Sequence, residues 1–169
     1  VAGRVGGVFA LGLAFGALTA EDLSLAAELA GRFGDGSLRT SPWRALFLPG
    51  VADPAPLAAA ARAAGFVVDP RDPRRLVTAC AGAPACANAL APTRADAALV
   101  AAQGVPGHVH LSGCPKGCAH PAPTAITLVA APDGYGLVRG GRAGDAPEPR
   151  GLSLDHVLQL LAAEAAEIP

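Results

Sequence analysis

The sequence predicts an α+β chain made of two successive units, and three observations predict it. Over the first 68 residues, apolar stretches of strand length alternate with stretches of helical period. A stiff polar connector follows, Asp69-Pro70-Arg71-Asp72-Pro73-Arg74-Arg75, in which prolines interrupt a run of charges. Beyond it the texture changes to short strands, each followed by a loop that carries a pair of cysteines. A length of 169 residues leaves room for about one full domain, so units at 1–70 and 71–169 share that length.

In the first unit, Val8 to Leu18 is apolar and strand-like. Thr19 with Asp22 three residues on has the form of a capping box, with Asp in place of the usual Glu. Leu23, Ala26, Ala27, Ala30 and Phe33 then recur at helical spacing, and Gly34 is the stop. Arg39 to Leu48 reads as a strand, with Pro42 placing it at an edge or bending it. A second helix is expected from Pro54 to Ala64, ending at Gly65, because proline suits the first turn. Phe66 to Val68 reads as a third strand. Helices on one face of a small, mostly antiparallel sheet would bury these stripes.

The second unit opens with Val77 to Ala79, leading into the first cysteine. A helix from Arg94 to Ala102, entered at Thr93, and a strand at His108 to Ser112 come next. After the second cysteine pair, Ile126–Ala131 and Tyr135–Arg139 form a hairpin around Pro132-Asp133-Gly134. A loop rich in glycine and proline runs to Gly151. A closing helix from Ser153 to Glu167 carries Leu154, Val157, Leu158 and Leu161 on one face.

Composition excludes several classes. Thirteen basic against fourteen acidic residues give a net charge of -1 and no basic stripe, which argues against a nucleic-acid partner. With 51% hydrophobic residues the chain is not disordered. The apolar stretch near the front falls well short of the roughly 20 residues needed to cross a bilayer, and no secretory leader is evident, so neither membrane nor export is expected. The chain has no Met and starts at Val1, which reads as a fragment of a longer protein. Lys116 is its single lysine.

The chemistry rests on Cys80, Cys86, Cys114 and Cys118. Five residues separate the first pair, three the second, and 27 lie between the pairs. If the strands that precede them are neighbours in one sheet, their terminal loops face each other and gather four thiolates. Four soft ligands specify zinc or an iron-sulfur cluster. The five-residue gap is loose for a zinc knuckle, whereas a cubane needs ligands spread more widely. Gly82, Ala83, Pro84, Ala85 and Gly117 are small enough for backbone amides to approach cluster sulfurs. Inert buried thiols and disulfides are the remaining readings; the Gly- and Pro-containing loops disfavour the first and a reducing compartment the second.

Cys80-x5-Cys86 followed by Cys114-x3-Cys118 resembles the cluster-binding signature of the nitrite and sulfite reductase superfamily. Thr78-Ala79-Cys80-Ala81-Gly82-Ala83-Pro84-Ala85-Cys86 and Ser112-Gly113-Cys114-Pro115-Lys116-Gly117-Cys118-Ala119-His120-Pro121 are similar to its precorrin-3B synthase family. Siroheme reductases usually have Asn where Lys116 stands and another residue in place of His120. The resemblance extends through Tyr135-Gly136-Leu137-Val138-Arg139 and Thr40-Ser41-Pro42-Trp43-Arg44, covering nearly the whole chain.

That resemblance implies a ferredoxin-like small domain, the nitrite/sulfite reductase half-domain, over 1–70, followed by an α/β cluster-binding domain over 71–169. It implies the C-terminal half of a cytoplasmic oxidoreductase whose N-terminal half is its partner. The four cysteines would hold a 4Fe-4S cluster as an electron relay, and in the reductases the last cysteine, Cys118 here, also bridges to the siroheme iron. A mononuclear non-haem iron is implied besides, with no siroheme. The substrate would be the tetrapyrrole precorrin-3A, hydroxylated and converted to a lactone with dioxygen and an electron donor. The isolated half is expected to be inactive, since a site between halves needs both walls. Siroheme enters only if the chain is half of a sulfite or nitrite reductase. A non-catalytic zinc or electron-carrier module is the reading from another class.

Planar arginine forks match the carboxylates on a tetrapyrrole rim. The substrate-binding candidates are therefore Arg75, Arg94, Arg139 and Lys116, with Arg74 and Arg142 beside them. Lys116 lies between two cluster ligands. His120 could serve as an iron ligand, a proton donor or a hydrogen-bond partner of a carbonyl. His108 and His110 alternate onto one strand face, and His156 reads as surface. No catalytic residue or iron ligand is assigned.

Overall fold

Phe9 and Leu11 turn to the same face of a five-residue strand, Val8–Gly12, and lie opposite Leu48 and Leu46 of Ala45–Pro49. These four side chains begin the core of the first of two units, Val1–Arg75 and Leu76–Pro169, into which the computed structural model divides the chain. Residues 1–105 and 107–166 are described. In the first unit the strands are β1 (Gly3–Val5), β2 (Val8–Gly12), β3 (Arg39–Thr40) and β4 (Ala45–Pro49), ordered β1-β2-β4-β3 and antiparallel throughout.

Helices α1 (Ala20–Phe33) and α2 (Pro54–Ala63) complete that core with Ala26, Leu29 and Ala30 from one and Leu57 and Ala61 from the other. The expected capping box is present: the Asp22 amide donates to Thr19 Oγ1 at 3.0 Å, and the Thr19 amide to Asp22 Oδ2 at 2.8 Å. Pro54 opens α2, whose cap is Asp53, accepting from the Ala55 amide at 3.0 Å.

Three expectations are corrected here. The apolar stretch after Gly12 is not strand: Ala14–Gly16 makes a 3-10 turn in which Phe15 takes φ +55°. The segment 39–48 breaks into β3 and β4, because Pro42 cannot donate to a ladder and Arg44 takes φ +53°. Phe66–Val68 is not a strand either. β1 already pairs with Val8–Ala10, which leaves Gly12 alone on that side, and Gly12 makes a single bridge to Val67. Phe66 and Val68 enter the core instead.

The second unit has β5 (Val77–Ala79), β6 (Val109–Ser112), β7 (Thr124–Ala131) and β8 (Gly134–Gly141) in sequential order. β5 and β6, and β6 and β7, run parallel; β7 and β8 form the antiparallel hairpin. Parallel neighbours need a long crossover, and α3 (Thr93–Ala102) lies in the one between β5 and β6. Register places Val109, Leu111, Ile126, Leu128 and Leu137 on one buried face. Ala97, Val100 and Ala101 of α3, with Val157 and Leu161 of α4 (Leu154–Ala166), are buried as well. The Ser153 hydroxyl accepts from the His156 amide at 3.2 Å at the start of α4; Glu167, to which that helix was expected to reach, lies outside the described residues. No helix among the described residues is long and apolar enough to cross a membrane.

Leu111 is fully buried between β5 and β7 and directly precedes the second cysteine loop. Leu111→Ala is expected to destabilise the chain by about 2–5 kcal/mol, read as a lowered urea midpoint.

Candidate functional site

β5 hands the chain to Cys80 and β6 hands it to Cys114 at the same end of two adjacent parallel strands. The Cys80 amide extends the ladder, donating to the Leu111 carbonyl at 3.2 Å. From the other loop, the Gly113 amide donates to Cys80 Sγ at 3.2 Å. The segment after Cys86 is laced to the same place, for the Leu90 amide donates to the Gly113 carbonyl at 2.9 Å. All four cysteines are free thiols; Cys118 is exposed and the other three are half-buried.

Two glycines make this approach possible. A Cβ at Gly113 would stand 2.6 Å from the Ala89 Cβ and 3.4 Å from Cys80 Sγ. At Gly82, which has φ +69°, it would stand 2.6 Å from the Thr93 amide nitrogen and hydroxyl. Thr93 itself was expected only to enter α3. Its hydroxyl instead donates to the Cys80 carbonyl at 3.0 Å and lies 3.5 Å from Cys80 Sγ. Burial pushes the Cys80 thiol up, but the Thr93 hydroxyl and the amides of Gly113, Gly82 and Cys80 outweigh it and hold the pKa below that of an ordinary thiol.

Lys116, His120 and Arg142 line one cleft of ≈ 300 Å³ beside the Cys114–Cys118 loop. Behind it, the His120 ring lies 5.1 Å from that of His108 and 5.9 Å from that of His110. His108 Nε2 is 3.0 Å from the Thr78 hydroxyl, and His110 Nδ1 is 3.3 Å from the Thr78 carbonyl. Among the described residues, no group of three or more His, Cys, Asp or Glu is arranged to hold a single metal ion.

The arginine candidates are placed differently. Arg139 shares a sheet face with Ile126 and Val109, opposite to that of His110, and grips Glu164 of α4 with both terminal nitrogens at 3.1 and 2.6 Å. Arg74 is paired with Asp72 at 2.6 Å and reaches the Gly65 carbonyl. Arg94 stands in the first turn of α3 with its Nε buried and no partner among the described residues. Arg75 ends the first unit. His156 is exposed on α4. Sequence reasoning also missed the buried hydrogen bond from the Tyr135 hydroxyl to Asp96 Oδ2, 2.5 Å, which with burial drives the tyrosine pKa upward. A polar residue on a core-facing helical position was its only signal.

Comparison with known proteins bears out the resemblance and the fold class. Residues 3–63 match the nitrite/sulfite reductase ferredoxin-like half domain. A curated precorrin-3B synthase from Sinorhizobium sp is 38% identical over 152 residues, which is 86% of this chain and 33% of that protein. The chain thus spans about a third of that relative's length. Among solved structures, NirA of Mycobacterium tuberculosis superposes with a TM-score of 0.65 at 23% identity, over 80% of this chain and 29% of its own. Dissimilatory sulfite reductase I gives 0.53 at 16% identity, over 72% and 32%. At those identities the two structures speak for the fold.

His110 gives the site a pH dependence. Burial, then the neighbouring His120 and His108, bring its pKa down to about 4 against a hydrogen bond to the Thr78 carbonyl that acts the other way. A depressed base is neutral in both states above about pH 6.5; below that only the unfolded chain takes up the proton, until the folded pKa is reached. Stability is therefore expected to fall between pH 6.5 and 4, and His110→Asn to flatten that part of the urea-midpoint profile.

Proposed function

We propose, on the premise that residues 3–63 belong to the nitrite/sulfite reductase ferredoxin-like half-domain family and that the chain is a relative of precorrin-3B synthase, that Cys80, Cys86, Cys114 and Cys118 hold a 4Fe-4S cluster. The observation that carries this reading is the meeting of the two cysteine loops at one end of the β5–β6 pair, with the Gly113 amide on Cys80 Sγ. Four thiol donors fit such a cluster. So does the cradle of Gly82 and Gly113, whose missing Cβ atoms leave room for backbone amides near sulfur.

The function is that of the cluster-bearing part of an oxidoreductase of the precorrin-3B synthase type. In it a tetrapyrrole, precorrin-3A, is hydroxylated and converted to a lactone with dioxygen, the reducing equivalents coming from an electron donor. When bound, the cluster supplies one-electron transfer. The chain's own residues do the rest. Thr93 and Gly113 favour the thiolate form of Cys80. Lys116 and Arg142 outnumber the single carboxylate, Asp145, in the lining of the cleft beside the second loop, which suits the carboxylate rim of such a substrate. His120, backed by His108 and His110, presents an imidazole there that can hold or pass a proton. Arg75 and Arg94 remain rim-binding candidates, whereas Arg139 serves first to tie β8 to α4. The N-terminal half of the enzyme supplies the facing wall, and the mononuclear iron is assigned to no residue of this chain.

Anaerobic purification of the chain is expected to give a brown protein with iron and acid-labile sulfide near about four each per chain. Serine at Cys80, Cys86, Cys114 or Cys118 should lower both to well under half. A colourless protein containing zinc would overturn the reading. Strong siroheme bands in the visible spectrum of the full-length enzyme would replace it with a sulfite or nitrite reductase. In that enzyme, Cys114→Ser is expected to abolish conversion of precorrin-3A.

A further inference from the structure

Asp96 of α3 and Tyr135 of β8 form a buried polar pair in the second unit. Tyr135 shares the sheet face of Leu137 and Leu128, on which an apolar side chain would pack as well. Asp96 is 7% exposed and Tyr135 4%, and the Tyr135 hydroxyl donates to Asp96 Oδ2 at 2.5 Å. A buried carboxylate opposes folding unless a partner compensates it. Among the described residues no arginine or lysine pairs with Asp96, so a neutral donor meets it. Burial, and after it Asp96, drive the tyrosine pKa upward, so the phenol keeps its proton and the pair's negative charge sits on the carboxylate.

That charge lies close behind the first cysteine. Thr93 opens α3 and Asp96 follows three residues on, so the two share a helix face with Cβ atoms about 5–6 Å apart. Thr93 is fully buried, and its hydroxyl lies 3.5 Å from Cys80 Sγ. The Asp96 carboxylate thus stands one helical turn from a residue in contact with the sulfur. A Cys80 thiolate adds, as the last of the causes, to the upward push on Tyr135, so pair and sulfur are within electrostatic reach. The Gly113 amide, donating to Cys80 Sγ, favours the more negative, reduced state of a centre bound there. A fixed carboxylate acts the other way, and because it is buried, salt screens it little.

We infer that Asp96, held in place by the Tyr135 hydroxyl, lowers the reduction potential of the centre bound through Cys80 and so makes its reduced form the stronger electron donor. Tyr135 is a positioning residue: its hydroxyl fixes the carboxylate and offsets part of its field. The inference rests on the cluster reading above and assigns to that site the control of its potential. The couple concerned is one electron taken from an external donor, with no bond formed or broken.

The 169-residue chain, purified anaerobically, would be titrated with dithionite and redox mediators and followed by visible absorbance and by the EPR signal of the reduced centre. Asp96→Asn keeps the shape and removes the charge, so its midpoint potential should rise. At the parent's midpoint its ratio of reduced to oxidised centres should be about tenfold higher, equivalent to about 59 mV for a one-electron couple. Tyr135→Phe keeps the charge and removes the donor that offsets it, so its midpoint should move the opposite way; it also carries the test should Asp96→Asn fold poorly. Asp155→Asn, on the exposed side of α4, should match the parent. A pair that only ties α3 to β8 would lower the urea midpoint of both variants and leave the potential alone. Unmoved potentials in both, or shifts of the same sign, would overturn the inference. Iron and acid-labile sulfide, measured on the same samples, separate the two failures. A parent chain without them overturns the cluster reading and this inference with it, whereas a full complement with an unmoved potential overturns this inference alone.

Discussion

The parallel pairing of β5 with β6 is the constraint from which the site follows. Thr78 lies opposite His110 and Ala79 opposite Leu111, and Cys80 continues that register by donating its amide to the Leu111 carbonyl. A slip of one residue would send Cys80 to the other face of the sheet, among the side chains that pack with the helices. Held as it is, its sulfur sits within reach of the Gly113 amide from the neighbouring strand's loop. That reach depends in turn on residue 113 having no side chain, since Ala89 already occupies the space. The two cysteine loops need rigid strands to bring them to one end of the sheet, and their close approach at Cys80 needs the glycine at 113.

Much of the fold was legible because local signals and tertiary demands coincide. Thr19 and Asp22 announce α1 by a capping geometry that needs nothing beyond those residues, and Pro54 announces α2 by its fixed φ. The first unit misled where the signal was only apolar character. Phe66–Val68 has every property of a strand, yet pairing is settled by which edges remain open, and β1 had taken the edge beside Val8–Ala10. β1 itself, only Gly3–Val5, is too short and too exposed to show a period. The left-handed residues Phe15 and Arg44 also escaped, because neither is of a type that favours that conformation.

For the site, the spacing of the cysteines suggests ligation from the chain alone, whereas the contacts around Cys80 leave no mark in the sequence. Thr93 lies thirteen residues from Cys80 and Gly113 thirty-three, and each reaches the sulfur only through the fold. Thr93 was even assigned a local duty, the start of a helix, that is consistent with its position but is not what its hydroxyl does. His108 and His110 were legible as a pair from strand alternation, whereas the approach of His120 requires the second cysteine loop to fold back over β6.

The cations show most clearly what a sequence conceals. Arginine is abundant throughout this chain, and residue type alone cannot say which of these charges are available to a ligand. Structure separates them by neutralisation. Arg74 is satisfied two residues away by Asp72, and Arg139 across elements by Glu164. Those pairs serve the fold, and they carry little outward charge. Lys116 and Arg142 face a cleft whose lining holds one carboxylate, Asp145. The placement of each charge, rather than the total of -1, is therefore what decides which cations serve the fold and which line a cleft.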